Sequence, residues 1–244
     1  MRMQSDLSGR TAVVTGASQG IGRAVAVALA QAGAEVAAVA RSTDRLERLA
    51  AEQPGVTAWP ADVTDPGFHA KLASRPCDIL VNNAGMNTPL PIAEMPTDAF
   101  DAMLNLNVRS VYMTAQAAVR SMLSAGRGGV IVNMSSQMGH VGSPRRTAYC
   151  LTKHAVEGLT KAMAVELAPH GIRVNSVAPT FVDTDWTRAM FADDSFKRFV
   201  LDMIPMGKLV TADEVASAVL YLCSPAAAMV TGTSLVMDGG WTAR

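Results

Sequence analysis

Three residues in the middle of the chain have the types and spacing of a small acid–base device. Tyr149 and Lys153 are four residues apart, and Ser136 lies thirteen residues before the tyrosine. Residues four apart in a helix share one face, with Cβ atoms about 5 to 6 Å apart, so the ammonium is expected to lower the pKa of the phenol. The pattern indicates proton transfer to or from an oxygen. Taken alone, it also fits an ordinary solvated helix face.

The overall composition argues against nucleic acid or membrane as a partner. The chain has 244 residues, with 21 Lys plus Arg against 21 Asp plus Glu, so no basic field attracts phosphate backbones or anionic lipid. No segment offers about eighteen uncharged apolar residues, and the first residues lack the apolar stretch of a signal peptide. We therefore expect a cytoplasmic protein.

The cysteines and histidines give no sign of a metal or redox site. Cys77, Cys150 and Cys223 are far apart and form no Cys-x-x-Cys pair. They are expected to be buried or partly buried thiols in a reducing compartment. The four histidines have no ligand spacing such as His-Glu-x-x-His, so no metal is expected.

Apolar runs and helical patterns alternate along the chain. The predicted strands are 11–15, 35–40, 56–60, 78–81, 129–133, 172–177 and 234–237. The predicted helices are 23–32, 42–51, 97–124, 148–170 and 211–224. This alternation predicts an α/β fold in which a doubly wound parallel sheet has helices on both faces. No linker divides the chain, so residues 1–244 are expected to form a single domain.

The segment 181–207 differs from the rest of the pattern. It carries Trp186, Phe191, Phe196 and Phe199 among charged residues, and prolines bound it. It follows the carboxyl end of a predicted strand, which is where ligands bind in open α/β sheets. The segment is therefore a candidate substrate lid. A packed surface excursion is the alternative.

A glycine-rich turn connects the first predicted strand to the first helix. Gly16, Gly20 and Gly22 permit positive φ in the turn, close approach of the main chain to a pyrophosphate, and tight packing of helix on strand. The free amides of the first helical turn would then face the phosphates. Alternatively, glycines at this position only form the turn and bind no ligand. Their position in a strand–turn–helix unit favours a nucleotide.

If the nucleotide is a dinucleotide such as NAD(H) or NADP(H), the end of the second predicted strand bears on which of them is bound. Arg41 follows this strand, and no Asp or Glu lies there to bond a ribose 2′-hydroxyl. An arginine offers a planar bidentate donor to a 2′-phosphate. NADP(H) is therefore favoured, and NAD(H) remains possible. Alternatively, Arg41 is only a solvated residue at a helix start.

Several motifs in register resemble the short-chain dehydrogenase/reductase family over nearly the whole chain. They are the segment 15–22, the segment Asn-Asn-Ala-Gly at 82–85, Asn107, Ser136, and Tyr149 with Lys153. The length and the motif around Tyr149 are most similar to bacterial sugar or polyol dehydrogenases and to xylulose and carbonyl reductases. The resemblance implies a Rossmann-like fold, hydride transfer and, from its usual members, a homotetramer.

The resemblance also implies roles for individual residues. Tyr149 would transfer the proton, Ser136 would hold the same oxygen, Lys153 would also bond the nicotinamide ribose, and Asn107 would hold a relaying water. The implied cofactor contacts are Gly16, Ser18, Gln19, Gly20, Ile21, Gly22, Arg41, Asp62, Val63, Asn83, Ala84, Gly85, Tyr149, Lys153, Pro179, Val182 and Thr184. The implied substrate contacts are Ser136, Gln137, Arg146, Tyr149 and Trp186.

Several of these assignments have alternatives. Ser135 could replace Ser136, and Asn107 could merely bond a neighbouring carbonyl. Arg146 could reach a carboxylate or hydroxyls, or could be a surface or interface charge. Gln19 stands where many NADP-using relatives carry a basic residue, and Thr180 replaces the glycine that most relatives have after the proline.

The sequence therefore predicts an oxidoreductase that transfers a hydride between NADP(H), or NAD(H), and a secondary alcohol or ketone of a small polar substrate. A sugar, a polyol or a sugar acid is expected. A reductase of 3-oxoacyl thioesters on acyl carrier protein is the alternative enzyme, because it would share every motif. A non-catalytic nucleotide-sensing subunit is the alternative of another class.

Overall fold

Seven parallel strands form the central sheet of the computed structural model, which describes residues 6–243 apart from the side chain of Trp186. The strands in chain order are β1 Thr11–Thr15, β2 Glu35–Ala40, β3 Val56–Pro60, β4 Ile79–Asn82, β5 Gly129–Met134, β6 Ile172–Pro179, β7 Val182–Asp183, β8 Val210–Thr211 and β9 Ser234–Met237. The sheet has the order β3-β2-β1-β4-β5-β6-β9, and β7 pairs separately with β8. The direction of winding reverses between β1 and β4, so a crevice opens at their carboxyl ends.

Helices cover both faces of the sheet, which confirms the doubly wound prediction. They are α1 Gly20–Gln31, α2 Thr43–Glu52, α3 Pro66–Ala73, α4 Thr97–Leu104, α5 Ser110–Ala125, α6 Thr147–Leu167, α7 Asp185–Met190, α8 Asp194–Met203 and α9 Ala212–Cys223. Val14 of β1 belongs to a hydrophobic cluster with Leu29 of α1 and Val219 of α9. Its neighbour Val13 belongs to the opposite cluster, with Met122 of α5. Alternate strand residues thus supply both cores.

The sequence reading missed α3, did not detect a π-helical turn within one predicted helix and overextended another. Asp65 caps α3 by accepting a hydrogen bond from the Gly67 N–H at 2.9 Å, and Pro66 occupies its first turn. The predicted helix 97–124 is interrupted by a π-helical turn at Asn105–Arg109. The predicted helix 148–170 ends as α6 at Leu167, and a 3₁₀ turn follows it.

The candidate lid contains β7, α7 and α8. An aromatic cluster holds it, since the ring centroid of Phe181 lies 6.1 Å from Phe191, 5.7 Å from Phe196 and 6.1 Å from Trp241 near the carboxyl terminus. Val200 of α8 is fully buried. The segment is therefore packed through α8 and its aromatic rings.

The three cysteines are free and buried, as the sequence predicts. Burial raises the pKa of the Cys77 and Cys223 thiols to about 12, so neither is an activated nucleophile. In the described part of the chain, no helix combines the length and the apolar character needed to cross a membrane.

Candidate active site

A pocket of about 390 Å³ opens at the carboxyl edge of the sheet. Its volume suits a small-molecule site. The predicted site residues that line it are Gln19, Ile21, Asn83, Gly85, Ser136, Gln137, Arg146, Tyr149, Lys153, Pro179, Val182 and Thr184. The fold therefore gathers into one cavity side chains that are far apart in sequence.

Other predicted residues lie outside the pocket wall. The turn glycines, Ser18 and Ala84 lie at the adjoining ends of β1 and β4, while Arg41, Asp62 and Val63 follow the ends of β2 and β3. Asn107 lies behind Gly85, where an added Cβ would come within 3.3 Å of the Asn107 Oδ1. The Trp186 side chain lies outside the described atoms.

Ser136 and Tyr149 line the same pocket. The serine follows β5 and the tyrosine lies in the first turn of α6, and hydrogen bonding by Ser136 acts to lower the pKa of the phenol. The Ser136 Oγ also accepts a hydrogen bond from the Met138 N–H at 3.2 Å. The neighbouring Ser135 Oγ has no partner among the described residues. The geometry thus places Ser136, rather than Ser135, beside the phenol.

Lys153 is buried one helical turn after Tyr149. Its Nζ donates a hydrogen bond to the Met134 carbonyl at 2.8 Å and lies 5.5 Å from the centroid of the tyrosine ring. Burial lowers the pKa of Lys153 to about 8, and the Glu157 carboxylate opposes that shift. This ammonium is therefore held by the chain end of β5 and is not bonded to the phenol.

The prediction that the Tyr149 pKa is lowered is wrong when only the protein's own groups act on it. Burial raises the pKa of Tyr149 to about 12, although the hydrogen bond with Ser136 and the charge of Arg146 both act to lower it. Removing the phenol from water disfavours the phenolate more than these neighbours favour it. At neutral pH the tyrosine is therefore protonated and able to donate.

The side chain of Asn107 makes three hydrogen bonds within the protein. Its Oδ1 accepts from the Met86 N–H at 2.8 Å, and its Nδ2 donates to the Met86 carbonyl at 2.8 Å and to the Thr152 hydroxyl at 3.2 Å. It lies in the π-helical turn, where the Ser110 N–H bonds the Asn105 carbonyl. The residue joins the loop after β4 to α6, whatever else it binds.

The glycine turn has the shape expected of a phosphate cradle. Gly16 and Gly20 have φ of 68° and 53°, which side chains rarely adopt. A Cβ on Gly22 would collide with the Gly16 carbonyl. Asn83 reinforces the turn, because its Nδ2 donates to the Thr15 carbonyl at 2.9 Å. The amino end of α1 carries no acidic residue and no side-chain cap, so its amides are open to an anion.

The sequence reading missed Arg45, a second arginine near the glycine turn. Arg45 of α2 hydrogen-bonds the Gln19 side chain, and Arg41 follows β2 four residues earlier in the chain. The Arg41 charge also contributes to a lowered pKa of Asp62, whose main cause is the hydrogen bond from the Thr64 N–H. The sequence does show an arginine four residues after Arg41, but the hydrogen bond of Arg45 with Gln19 depends on how α2 packs in the fold.

Unpartnered polar atoms are concentrated in the pocket. Among the described residues, five buried side-chain atoms lack a hydrogen-bond partner: Asn87 Oδ1, Ser135 Oγ, Gln137 Oε1, Arg146 Nη1 and Thr180 Oγ1. All five residues line this cavity. Buried polar atoms are normally satisfied within a fold, so the cavity is built to bind a polar ligand. Asn87 belongs to a loop without a recognisable motif, which is why sequence reasoning missed it.

Comparisons with known proteins match almost the entire chain. A family model described as enoyl-(acyl carrier protein) reductase matches residues 16–242. L-xylulose reductase of Mesocricetus auratus is 42% identical over 98% of this chain and 99% of that protein. A short-chain type dehydrogenase/reductase from Mycobacterium marinum superimposes with a TM-score of 0.91 and 41% identity, over 98% of each chain.

A second solved structure includes ligands. A gluconate 5-dehydrogenase from Burkholderia cenocepacia, in complex with NADP and tartrate, gives a TM-score of 0.90 and 32% identity, over 98% of this chain and 97% of that one. Both the turn glycines and the pocket residues fall inside the region matched in every case.

Proposed function

Since the chain belongs to the short-chain dehydrogenase/reductase family and is an oxidoreductase of CH–OH and carbonyl groups, we propose that it uses NADP(H) to interconvert a secondary alcohol and a ketone on a sugar, polyol or sugar acid. The observation that carries the proposal is that Ser136, Tyr149 and Lys153 line one cavity together with unpartnered polar atoms.

The proton follows a short path in this site. In reduction, the Tyr149 hydroxyl gives its proton to the carbonyl oxygen, and the Ser136 hydroxyl donates a hydrogen bond to the same oxygen as negative charge develops. In oxidation, the alcohol proton passes to the Tyr149 phenolate. The bound nicotinamide would accept or supply the hydride and, when oxidised, would add a positive charge that lowers the phenol pKa.

The residues present fit a dinucleotide. The amides at the start of α1 and the close approach that Gly22 permits would hold the pyrophosphate, and Lys153 would bond the nicotinamide ribose. Pro179, Val182 and Thr184 line the pocket beside Lys153, where the nicotinamide would lie. The implied water relay at Asn107 belongs to the same proposal.

A preference for NADP(H) is supported by two arginines at the ribose end. Arg41 and Arg45 are both exposed, and no carboxylate at the end of β2 occupies the place of a 2′-phosphate. Guanidinium groups bind phosphate in bidentate geometry. The NADP in the structure of the gluconate 5-dehydrogenase is in keeping with this assignment.

The rival enzyme is a reductase of acyl thioesters on a carrier protein. The matching family model carries a description of that kind, but the relative at 42% identity is named for a ketose. The unpartnered amide, hydroxyl and guanidinium atoms in the pocket suit hydroxyl groups better than an acyl chain. The formal net charge of zero offers no basic field for an acidic carrier.

A parallel screen tests the proposed function. The protein is assayed with sugars, polyols, sugar acids and a 3-oxoacyl thioester, each with NAD(H) and NADP(H), by nicotinamide absorbance. We expect turnover with polyhydroxy compounds and a higher kcat/KM with NADP(H). Turnover of the thioester alone would establish the rival, and no turnover with cofactor still bound would favour a sensing subunit.

We further propose that the protein acts in a reducing cytoplasm, since its three cysteines are free and buried, and that 181–207 closes over the substrate. Support for the lid comes from its start, because Phe181, Val182, Thr184 and Thr187 line the pocket. The aromatic cluster with Trp241 would anchor the far part of this segment.

A further inference from the structure

We propose that the substrate carries a carboxylate and that Arg146 binds it, with the reacting carbon held by Ser136 and Tyr149. The inference rests on the proposed function and narrows its substrate class to a hydroxy acid or keto acid of a sugar. It separates this protein from an enzyme for neutral ketoses or polyols.

The first observation is a buried guanidinium without a counter-charge. Arg146 is 7% exposed and lines the pocket, and its Nη1 has no hydrogen-bond partner within residues 6–243. No ion pair links it to an acidic side chain in the described part of the chain. Arginine cannot escape burial by losing its proton, so an isolated guanidinium in a cavity calls for an anionic ligand.

Among residues 6–243, no carboxylate acts on Arg146 in place of a ligand. The titratable groups that act on it are Tyr149, Cys150 and the like-charged Arg145. Arg146 is itself the N-cap residue of α6, a helix of 21 residues whose first turn has no acidic side chain. The positive end of the helix dipole therefore adds to the arginine charge at this wall of the cavity.

Backbone hydrogen bonds fix Arg146 in place, next to a residue with a strained backbone. Within the described chain, Arg145 is the sole non-glycine residue with positive φ, at 60°. The Arg146 N–H donates to the Ser143 carbonyl at 3.2 Å, and the Cys150 N–H donates to the Arg146 carbonyl at 2.7 Å. Strained residues persist where surrounding contacts over-determine them, often at ligand sites. Here the strain occurs at the residue before the buried guanidinium.

The remaining free atoms suit hydroxyl groups next to that carboxylate. Gln137 Oε1 and Asn87 Oδ1 are acceptors, and Ser135 and Thr180 offer hydroxyls that can donate or accept. One cation together with several neutral hydrogen-bonding groups is complementary to a short chain with one carboxylate and several hydroxyls. A neutral polyol can accept hydrogen bonds from the guanidinium but leaves it without a counter-charge.

Two kinds of measurement test the inference on the protein with NADP bound. The first is direct binding of succinate, which has carboxylates but no hydroxyl to oxidise, by calorimetry. The second is a comparison of gluconate with glucitol as substrates, since they share a hydroxylated chain and differ in the carboxylate. The variants are Arg146→Gln and Arg146→Lys, and the matched control is Arg145→Asn, which removes the adjacent exposed charge with a residue that tolerates positive φ.

We expect succinate to bind the unsubstituted protein and to lose about 10- to 100-fold in affinity in Arg146→Gln, the range for a hydrogen bond to a charged group. The KM for gluconate should rise by a similar factor, and the KM for glucitol should change by less than about threefold. Arg146→Lys should recover part of the loss, and Arg145→Asn should differ little from the unsubstituted protein.

Absence of succinate binding, or equal binding by Arg146→Gln, would overturn the inference. So would a rise in the KM for NADP instead of the KM for gluconate, which would place Arg146 at the cofactor. Because calorimetry needs no turnover, retained succinate binding together with no oxidation of any compound would count against the proposed function and leave the carboxylate site standing.

Discussion

At the level of single residues, Tyr149 connects the geometry of the site to its chemistry. Replacing it with phenylalanine removes the transferable proton while keeping the ring, so kcat should fall by about 10² to 10⁴-fold. Affinity for NADPH, followed by fluorescence, should stay within about twofold, since no other proposed contact is lost. Tyr112→Phe is the matched control, because Tyr112 is 51% exposed on α5. Retained turnover in Tyr149→Phe would refute the mechanism.

Lys153 makes the stability of the cofactor-free protein depend on pH. Its pKa is lowered in the folded state from 10.5 to about 8, so the unfolded chain binds more protons across that interval. Lys153 should therefore contribute a rise in stability with pH between about 8 and 10.5, of up to about 3 kcal/mol. The raised pKa values of Cys77 and Cys223 act in the opposite direction above about 9, and that of Tyr149 above about 10, so the contribution of Lys153 is measured as the difference between variants.

Urea unfolding at a series of pH values checks this prediction. Lys153→Met should lack the rise between pH 8 and 10, whereas Lys161→Met, at an exposed position of the same helix, should retain it. Identical pH dependence in Lys153→Met and the unsubstituted protein would show that the ammonium is not desolvated in the folded state.

At the level of the secondary-structure elements, the approach of α1 to the ends of β1 and β4 depends on Gly22. An added Cβ would collide with the Gly16 carbonyl, so Gly22→Ala should cost about 1 to 3 kcal/mol of stability. It should also weaken NADP binding, because the phosphate cradle must open.

Gly158 in α6 serves as the control for Gly22, because it has open space around it. A Cβ there would meet nothing within 4 Å, so Gly158→Ala should stabilise the protein by about 0.5 to 1 kcal/mol. Thermal unfolding and NADP titration of both variants measure the contrast. Equal effects of the two substitutions would mean that close packing in the turn is not what Gly22 provides.

The elements also show what the sequence could and could not predict. Strands β1, β2, β3 and β9 have the predicted bounds because apolar runs end at glycine, proline or polar residues. Helix α3 was missed because it is short and only Phe68, His69 and Leu72 are buried on it. The π-helical turn at Asn105–Arg109 reads as ordinary helix, since its extra residue is imposed by contacts such as that of Asn107 with Met86.

The functional site, too, could be predicted from the sequence only in part. Residue types and spacing suggested Ser136, Tyr149 and Lys153, and the glycine turn and the other motifs in register favoured them over an ordinary helix face. The pKa of Tyr149 was predicted in the wrong direction, since desolvation depends on all the atoms packed around the ring. The contact of Arg45 with Gln19 likewise depends on how α2 lies against the first turn.

At the scale of the whole molecule, several apolar side chains remain exposed on the single chain. Tyr112 of α5 and Leu151 of α6 are about half exposed, Val165 of α6 is 80% exposed and Met229 after α9 is 96% exposed. Such side chains mark an interface where they lie in one contiguous patch. We therefore propose the homotetramer that the family resemblance implies, with these helices in its interfaces.

Light scattering tests the assembly. We expect a mass of four times 25.6 kDa at micromolar concentration, and a smaller species for Leu151→Asp, which places a charge in the proposed interface. A monodisperse monomer in the unsubstituted protein would remove the proposal. A tetramer unchanged in Leu151→Asp would move the interface away from this part of α6.

The start of α6 has a consequence for which carbon atom reacts. Arg146 caps α6 and Tyr149 lies three residues later in the first turn of that helix, so the separation of their backbones is fixed by helix geometry. A ligand anchored at the guanidinium can then present only one hydroxyl to the phenol. The enzyme should accordingly be regioselective, counting carbons from the acid group, and tolerant of changes at the opposite end of the substrate.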